Sequence, residues 1–432
     1  MRLSNKGLPS LRLSLLTNLK VLLFFASILP GLSYADPFKD MVMQIHEKDA
    51  LLRGEKLSIE AEREKLKPQT SIHLPELISS ASTGRTIEGS DRQSSSNVNL
   101  TARAVIFNGG HDSLVREEAK VLHQKLDLES AKKDIDRKAM IAGDLLEIIG
   151  KHQSITERGR WLSSKRTILE NTESRYKKGL LAGEEWLRVK LDFDNAQNQF
   201  EQAKLELDTL SKKYQIDSQA VSQLSWPWLK YVNQKTADSL SNLSQSSTSL
   251  ETRIDEATVE SSKISIQAER RRYVPEFALS AGLNRNFDED RSPSDVKKSA
   301  VLSVNLPLFS RFQTESQIAS LVKLQASQRS LAEYQLAEEK RRKESTLQDI
   351  KRLAQRLDSN NSISKLAGEV MEKSRGKFLQ GKISANEFNL DESRYINLYD
   401  SWLKDIESIH KNFIEICKIS GTDIFNCMDR IR

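Results

Sequence analysis

Two kinds of hydrophobic spacing run along the chain, and both occur twice. Between residues 97 and 106, Val98, Leu100, Ala102, Ala104 and Ile106 share one face, and Asn97, Asn99, Thr101 and Arg103 the other. Successive side chains of a strand point to opposite faces, so this alternation predicts a strand with one apolar and one polar side. In the second half Ala300, Leu302, Val304, Leu306 and Leu308 repeat the apolar side, against Ser303 and Asn305. A preceding strand runs from Pro275 through Phe277, Leu279, Ala281 and Leu283, and the polar stretch 288–298 makes its hairpin loop. The first-half partner, near Ile72, Leu74 and Leu77, reads as weaker because Pro75 interrupts it.

Helical spacing follows each hairpin. From Phe107 to Gly179, and again from Phe309 to Gly381, 72 residue steps pass without a proline. At 1.5 Å per residue a continuous helix of that length spans roughly 100 Å. Each stretch ends in a turn motif, YKKGLLAGEEWL from Tyr176 and FLQGKISANEFN from Phe378. After the first turn Val189, Phe193, Ala196, Phe200, Ala203, Leu207, Leu210 and Tyr214 alternate steps of four and three, a coiled-coil seam. The second seam keeps Tyr395, Leu398, Trp402, Ile409 and Ile416 but places Asp391, Asp405 and Asn412 among them.

The two aromatic strand ends, Phe107 and Phe309, and the two turn glycines, Gly179 and Gly381, are both 202 residues apart, so no net insertion separates the copies there. A unit of about 200 residues is far longer than a solenoid repeat. The reading is a duplicated helical hairpin: a first repeat over residues 36–217, an irregular connector over 218–249 containing Trp226-Pro227-Trp228, and a second repeat over 250–432. The paired tryptophans are expected to pack the connector against the helices. A segment before the first strand has helical composition up to Pro68.

Residues 1–35 read as a secretory signal. Arg2, Lys6, Arg12 and Lys20 precede or open an apolar run from Val21 to Leu29, and Ser33 and Ala35 supply the small residues before a cut. That run is about half the length a membrane-spanning helix needs. Its removal takes away four positive charges and no negative ones, reducing the net charge of +6 to +2, so the basicity gives little support to nucleic-acid binding. An exported chain without a later apolar helix enters a membrane, if it does, with strands. Four strands cannot close a barrel by themselves, whereas three copies supply twelve. Cys417 and Cys427 stand ten residues apart in a compartment that permits disulfides, and either pairing or free thiols fit the sequence.

No enzyme chemistry is legible. The six histidines have no metal-ligand spacing, neither cysteine belongs to a zinc pattern, and there is no phosphate-cradling glycine loop, nucleophile elbow or His-Glu helical pair. No catalytic residue, cofactor or metal site is expected.

The doubled strand-to-helix transitions AVIFNGG and LPLFSRF, the doubled turns and the two-hairpin plan resemble the TolC family of bacterial outer membrane efflux proteins over essentially the whole mature chain. The resemblance implies a mainly α fold with β: long antiparallel helical hairpins plus two β-hairpins giving four strands to a trimeric twelve-stranded outer membrane barrel. It implies a passive exit duct of an efflux or type I secretion system, extending from the outer membrane into the periplasm, with a periplasmic adaptor and an inner-membrane pump as partners. Gly179 with Leu180, and Gly381 with Lys382, match the turns that adaptor tips contact. Glu185 and Glu387 match acidic positions at the periplasmic entrance, Phe378 stands where a tyrosine often helps close the gate, and Ile383 where some members carry an arginine. Three copies would gather six such carboxylates near one axis, where they would attract cations. Each glutamate equally fits the first turn of a helix, where the dipole favours a negative charge. Two rivals share export and long helices: a periplasmic coiled-coil adaptor, which should carry a lipoyl-like half-motif, and an envelope spacer, which has no need of two-faced strands.

Overall fold

The computed structural model describes residues 36–72, 74–88, 91–228, 249–288, 296–307 and 312–429. The expected signal, Phe309, and most of the connector and of the second hairpin loop lie outside the described residues. In chain order the elements are α1 (Pro37–Lys48), α2 (Ala50–Thr70), β1 (Glu76–Glu88), β2 (Asp91–Phe107), α3 (His111–Lys177), α4 (Gly183–Lys213) and α5 (Ser218–Gln223), then α6 (Leu250–Arg270), β3 (Glu276–Asp288), β4 (Lys297–Asn305), α7 (Gln313–Leu379), α8 (Ala385–Ile419) and α9 (Ile424–Asp429). The rods α3 and α7 are each 67 residues long and 202 residues apart.

Local chemistry explains the boundaries. Asp36 and Asp49 accept backbone N–H bonds at the starts of α1 and α2, with Pro37 at the first helical position. Pro68 sits inside the last turn of α2, and the helix stops two residues later than the sequence suggested. Its missing N–H breaks the ladder only where the helix is already ending. Pro75 likewise precedes β1, so that strand is a full 13 residues and not the weak one expected. Between β2 and α3 the chain turns at Gly109 and Gly110, both at positive φ; a Cβ on Gly109 would lie 2.5 Å from that of Val274. The residue equivalent to Gly110 in the second copy is Phe312, which holds φ +62°.

The four strands form one antiparallel sheet in the order β1-β2-β3-β4, the two hairpins joined through β2 and β3. Register lines up the predicted faces. Leu100 pairs with Leu283, Ala104 with Leu279 and Leu279 with Leu302 on one side. Asn97 with Asn286, Asn99 with Asn284 and Thr101 with Gly282 lie on the other. The outer edges of β1 and β4 have no strand beside them among the described residues.

Below the sheet α3 packs against α2 and α6 and then against α4 and α8, while α7 packs against α6 and α8. The main core is a collar at mid-rod, built on the buried run Ile141–Ile149 of α3 with Ile350 of α7 and Ile406 and Phe413 of α8. Around it are folded α1, α9, α5 and the connector's Trp226 and Trp228. Trp228 is 1 % exposed and meets Phe38 edge-on at 5.8 Å, and the Trp226 indole N–H donates to Gln153 at 2.8 Å, so the tryptophans do pack the connector on the helices. Cys417 and Cys427 form a disulfide that ties α9 to the end of α8. No helix among the described residues is long and apolar enough to cross a membrane.

The predicted seam on α4 is the face that packs: Val189, Phe193 and Ala196 are buried and Phe200 to Tyr214 half-buried. On α8 the two acidic interruptions have partners. Asp405, buried, accepts from Arg356 and from Asn360 at 2.6 Å, and Asp391 accepts from Ser374 at 2.5 Å, so both stitch α7 to α8.

Candidate functional site

The two helical hairpins turn at the end of the rods opposite the sheet. Lys177, Lys178 and Gly179 close the first: the Gly179 N–H donates to Tyr176 O at 2.9 Å and the Leu180 N–H to Arg175 O at 2.9 Å. The second repeats it, Gly381 to Phe378 O at 2.8 Å and Lys382 to Lys377 O at 2.9 Å. This is the Schellman ending, which needs a left-handed residue, and both glycines supply it at φ +70° and +71°. The next helices begin four residues on, at Gly183 and Ala385. Ser384 caps α8 in a reciprocal box: its N–H donates to Glu387 at 3.1 Å while its hydroxyl accepts from the Glu387 N–H at 3.3 Å. Ala182 holds that place before α4 and offers no side-chain cap to match Glu185.

The turns lie side by side. A Cβ on Gly381 would stand 2.9 Å from a guanidinium nitrogen of Arg175, so the first hairpin reaches across to the second turn. Leu180 is 67 % exposed at the tip, flanked by exposed Lys177 and Lys178, while Lys382 is exposed on the second tip. Tyr176 and Trp186 stack at 5.2 Å across the first turn. Glu185 is half-buried and Glu387 exposed. Phe378 and Ile383 face inward instead. Phe378 stacks on Phe388 at 5.6 Å, and both join Ile168, Val189 and Ala385 in a small apolar cluster shared by the two hairpins, against which Ile383 packs.

Just above this cluster lies a buried polar group that the sequence reading missed. The Lys165 ammonium of α3 meets Glu392 of α8 at 2.7 Å with side chains only 9 % and 1 % exposed, and it also donates to Asn389 at 3.3 Å. Asn389 in turn donates to Asp192 of α4, and the ammonium lies 4.9 Å over the Trp161 ring. Burial pushes the Glu392 carboxyl upward, and the Lys165 charge opposes that shift. The signal was present in the sequence: Glu392 lies on the stripe Ala385, Phe388, Glu392, Ile396, at steps of three and four, where a lone charge demands a partner. A cavity of about 720 Å³ opens between α3, α4 and α8 higher up. Its carboxylates are ion-paired: Glu206 with Lys151, Asp400 with Arg158, Glu147 and Glu407 with Lys411.

The architecture of two strand hairpins on two rods with paired tips is that of outer membrane channels. A membrane protein from Pseudomonas aeruginosa superposes with a TM-score of 0.76 at 13% identity, covering 90% of this chain and 93% of that one. The CmeC outer membrane channel of Campylobacter jejuni superposes at 0.74 and 11% identity, covering 92% and 89%. The MtrE outer membrane channel of Neisseria gonorrhoeae, solved in its open state, gives 0.65 at 16% identity, covering 90% of each chain. The fold is therefore the TolC-like one that the sequence resembled. No protein-family profile and no curated protein sequence matches the chain.

Proposed function

We propose that the chain is the passive exit duct of an efflux or type I secretion system, a homotrimer whose four-stranded sheets close into a twelve-stranded outer membrane barrel and whose rods continue as a periplasmic tunnel. The observation that carries this reading is the pair of open edges. Among the described residues the outer edges of β1 and β4 have no neighbouring strand, and unpaired strand edges are not tolerated in lipid. Because β1 and β4 run in opposite directions, β4 of one copy can continue onto β1 of the next as an antiparallel neighbour. The rods are open on the same flanks. On α7, Leu324, Leu331 and Tyr334, and further down Ile363, Leu366 and Val370, are exposed at seam spacing, while Leu187, Leu191 and Leu205 are exposed on α4. A repeated self-contact satisfies sheet and rods together.

In this assembly residues 36–217 and 250–432 act as the two repeats and 218–249 as the connector, after removal of the signal at 1–35. Gly179, Leu180, Gly381 and Lys382 present the tips to a periplasmic adaptor, which links the duct to an inner-membrane pump. Glu185 and Glu387 rim the entrance. Phe378 and Ile383 hold the hairpins together there through apolar packing in place of polar latch bonds. No nucleic acid, cofactor or catalytic step is involved.

Photo-crosslinking from Leu180 in living cells, with identification of the captured protein, tests the docking end. Capture of an adaptor supports the duct. Capture of cell-wall components alone favours the spacer reading, and a soluble periplasmic monomer in fractionation favours the adaptor reading; either outcome removes the duct.

A further inference from the structure

Where α6 hands the chain to β3, the sequence carries Arg270, Arg271 and Arg272, all exposed, followed by Tyr273, 43 % exposed. Arg272 bonds Glu269 at 3.0 Å. Arg270 and Arg271 form no ion pair among the described residues; Glu276, next along the chain, is held by Arg103 at 2.9 Å, and Glu315 of α7 accepts from the Tyr273 hydroxyl. Two positive charges therefore stand unneutralised at the helix-side end of the sheet.

The residues beside them are ordered as at a bilayer boundary. The apolar face of the sheet, with Leu279, Leu302 and Val304 exposed, ends in Phe107 and Phe277, whose rings lie 6.1 Å apart and are 51 % and 36 % exposed. Phe312, 69 % exposed, enters at the same level from α7, and it does so in the left-handed conformation that its counterpart Gly110 adopts without strain. An exposed aromatic ring kept at a left-handed backbone position has a use at a bilayer interface that it lacks in water. Arg272 precedes Phe277 by five residues, at most about 18 Å along the chain, and the headgroup layer beyond the hydrocarbon is roughly 5–8 Å deep. Long arginine side chains bridge such a gap. The fold does not require these charges. Since β1 and β3 start 200 residues apart, the equivalent places in the first repeat are Thr70, Ser71 and Ile72, all uncharged.

We propose that Arg270 and Arg271, with Arg272 held beside them by Glu269, form a collar that binds the phosphate groups of anionic phospholipids in the leaflet facing the rods, anchoring the barrel at a fixed depth. The inference rests on the reading that the sheet spans a bilayer. Its partner is a lipid surface, recognised by charge complementarity and by the aromatic ring above it.

The test is to reconstitute the full mature chain in phosphatidylcholine bilayers containing spin-labelled phosphatidylglycerol or spin-labelled phosphatidylcholine, and to measure their relative association with the protein. The wild-type chain is expected to enrich phosphatidylglycerol. Arg270→Gln with Arg271→Gln is expected to lower that enrichment by up to about 30-fold, at about tenfold per 1.4 kcal/mol and about 1 kcal/mol per arginine. The enrichment should also fade at 1 M salt, where charges are screened within about 3 Å. Lys177→Gln with Lys178→Gln, at the far tips, should leave it unchanged and controls for net charge. Equal enrichment in wild type and the arginine variant overturns the proposal. So does complete displacement of the lipid by millimolar inorganic phosphate, which would make this a general anion site, or capture of an acidic protein in place of lipid by a photo-crosslinker at Arg271. Failure of the wild type to enter any bilayer defeats the duct reading instead, and is seen separately as loss of protein from the vesicle fraction.

Discussion

Lowering the pH from 7 to below 4 should remove about 3 kcal/mol of stability through His410 alone. This side chain is 0 % exposed on α8. Its Nδ1 lies 2.7 Å from Ile406 O, and its Nε2 accepts the Trp228 backbone N–H at 3.3 Å, which assigns the proton to Nδ1. Trp226 and Trp228 flank the ring at 5.3 and 5.8 Å. Protonation would turn the one acceptor into a donor facing a donor, in a pocket of aromatic rings. Burial accordingly holds the imidazole down to about 4, from 6.5. The folded pKa is below the unfolded one, so the native state is at full strength above pH 6.5 and loses stability as pH falls toward 4. A displacement of about 2.5 units at 1.36 kcal/mol each gives the stated 3 kcal/mol. The assay is denaturant unfolding followed by tryptophan fluorescence at pH 7, 5.5 and 4, for the wild type and for His410→Gln. The variant should lose 1–3 kcal/mol at pH 7 through imperfect replacement of the bonds, yet show a pH dependence shallower by about 3 kcal/mol. His46 is also held low, chiefly by burial, and its contribution cancels in the difference measurement. Parallel pH curves for the two proteins would refute the assignment of His410 as a buried neutral acceptor.

The hairpin tips offer a matched pair of substitutions. Ser384→Ala should cost about 1 kcal/mol of local stability and Ala182→Ser should add a comparable amount by completing a box with Glu185, both read by hydrogen exchange in the first turns of α8 and α4. Lys165→Met leaves Glu392 buried without its partner and should destabilise by about 3–5 kcal/mol in chemical denaturation, while adding Glu392→Leu should restore most of it. Replacing Cys417 and Cys427 by serine opens a short loop and should lower stability by about 2–3 kcal/mol, measured against the oxidised protein. Glu387→Gln can keep the bond to the Ser384 N–H while removing a charge; weaker cation selectivity in planar bilayers at unchanged thermal stability is expected, and unchanged selectivity would remove Glu387 from the entrance rim.

Much of this architecture is written in spacing that survives without an alignment. Strand faces, rod lengths and turn glycines follow from period two, uninterrupted helical composition and the left-handed demand of the Schellman ending. The misses share a cause: they depend on which element packs against which. Pro75 looked like damage within a strand because the start of β1 was not visible, and Pro68 looked like a terminator because a helix tolerates proline in its closing turn. Asp391 and Asp405 looked like flaws in the second seam until α7 brought Ser374, Arg356 and Asn360 opposite them. Lys165 is 227 residues from Glu392 in sequence, so no local window could pair them. Phe378 and Ile383, which the resemblance assigned to a gate, lie beside the second turn, and whether they face a lumen or a neighbour is a property of the packed hairpins.

The duplication also separates what the fold needs from what this chain adds. Where both copies keep the same solution, as at Gly179 and Gly381 or in the 67-residue rods, geometry is sufficient explanation. Where they differ at one structural position, the fold accepts either residue and another pressure has chosen. Gly110 against Phe312, Ala182 against Ser384, and Thr70 to Ile72 against Arg270 to Arg272 are three such positions. The first and third lie at the sheet end and both place interfacial chemistry, aromatic and cationic, in the second copy. The middle one lies at the tips and leaves the start of α4 without the cap that fixes α8. A hairpin whose second helix lacks its cap opens its first turn at lower cost, so the first tip, with Leu180 exposed, is the one expected to rearrange if a partner engages the proposed duct.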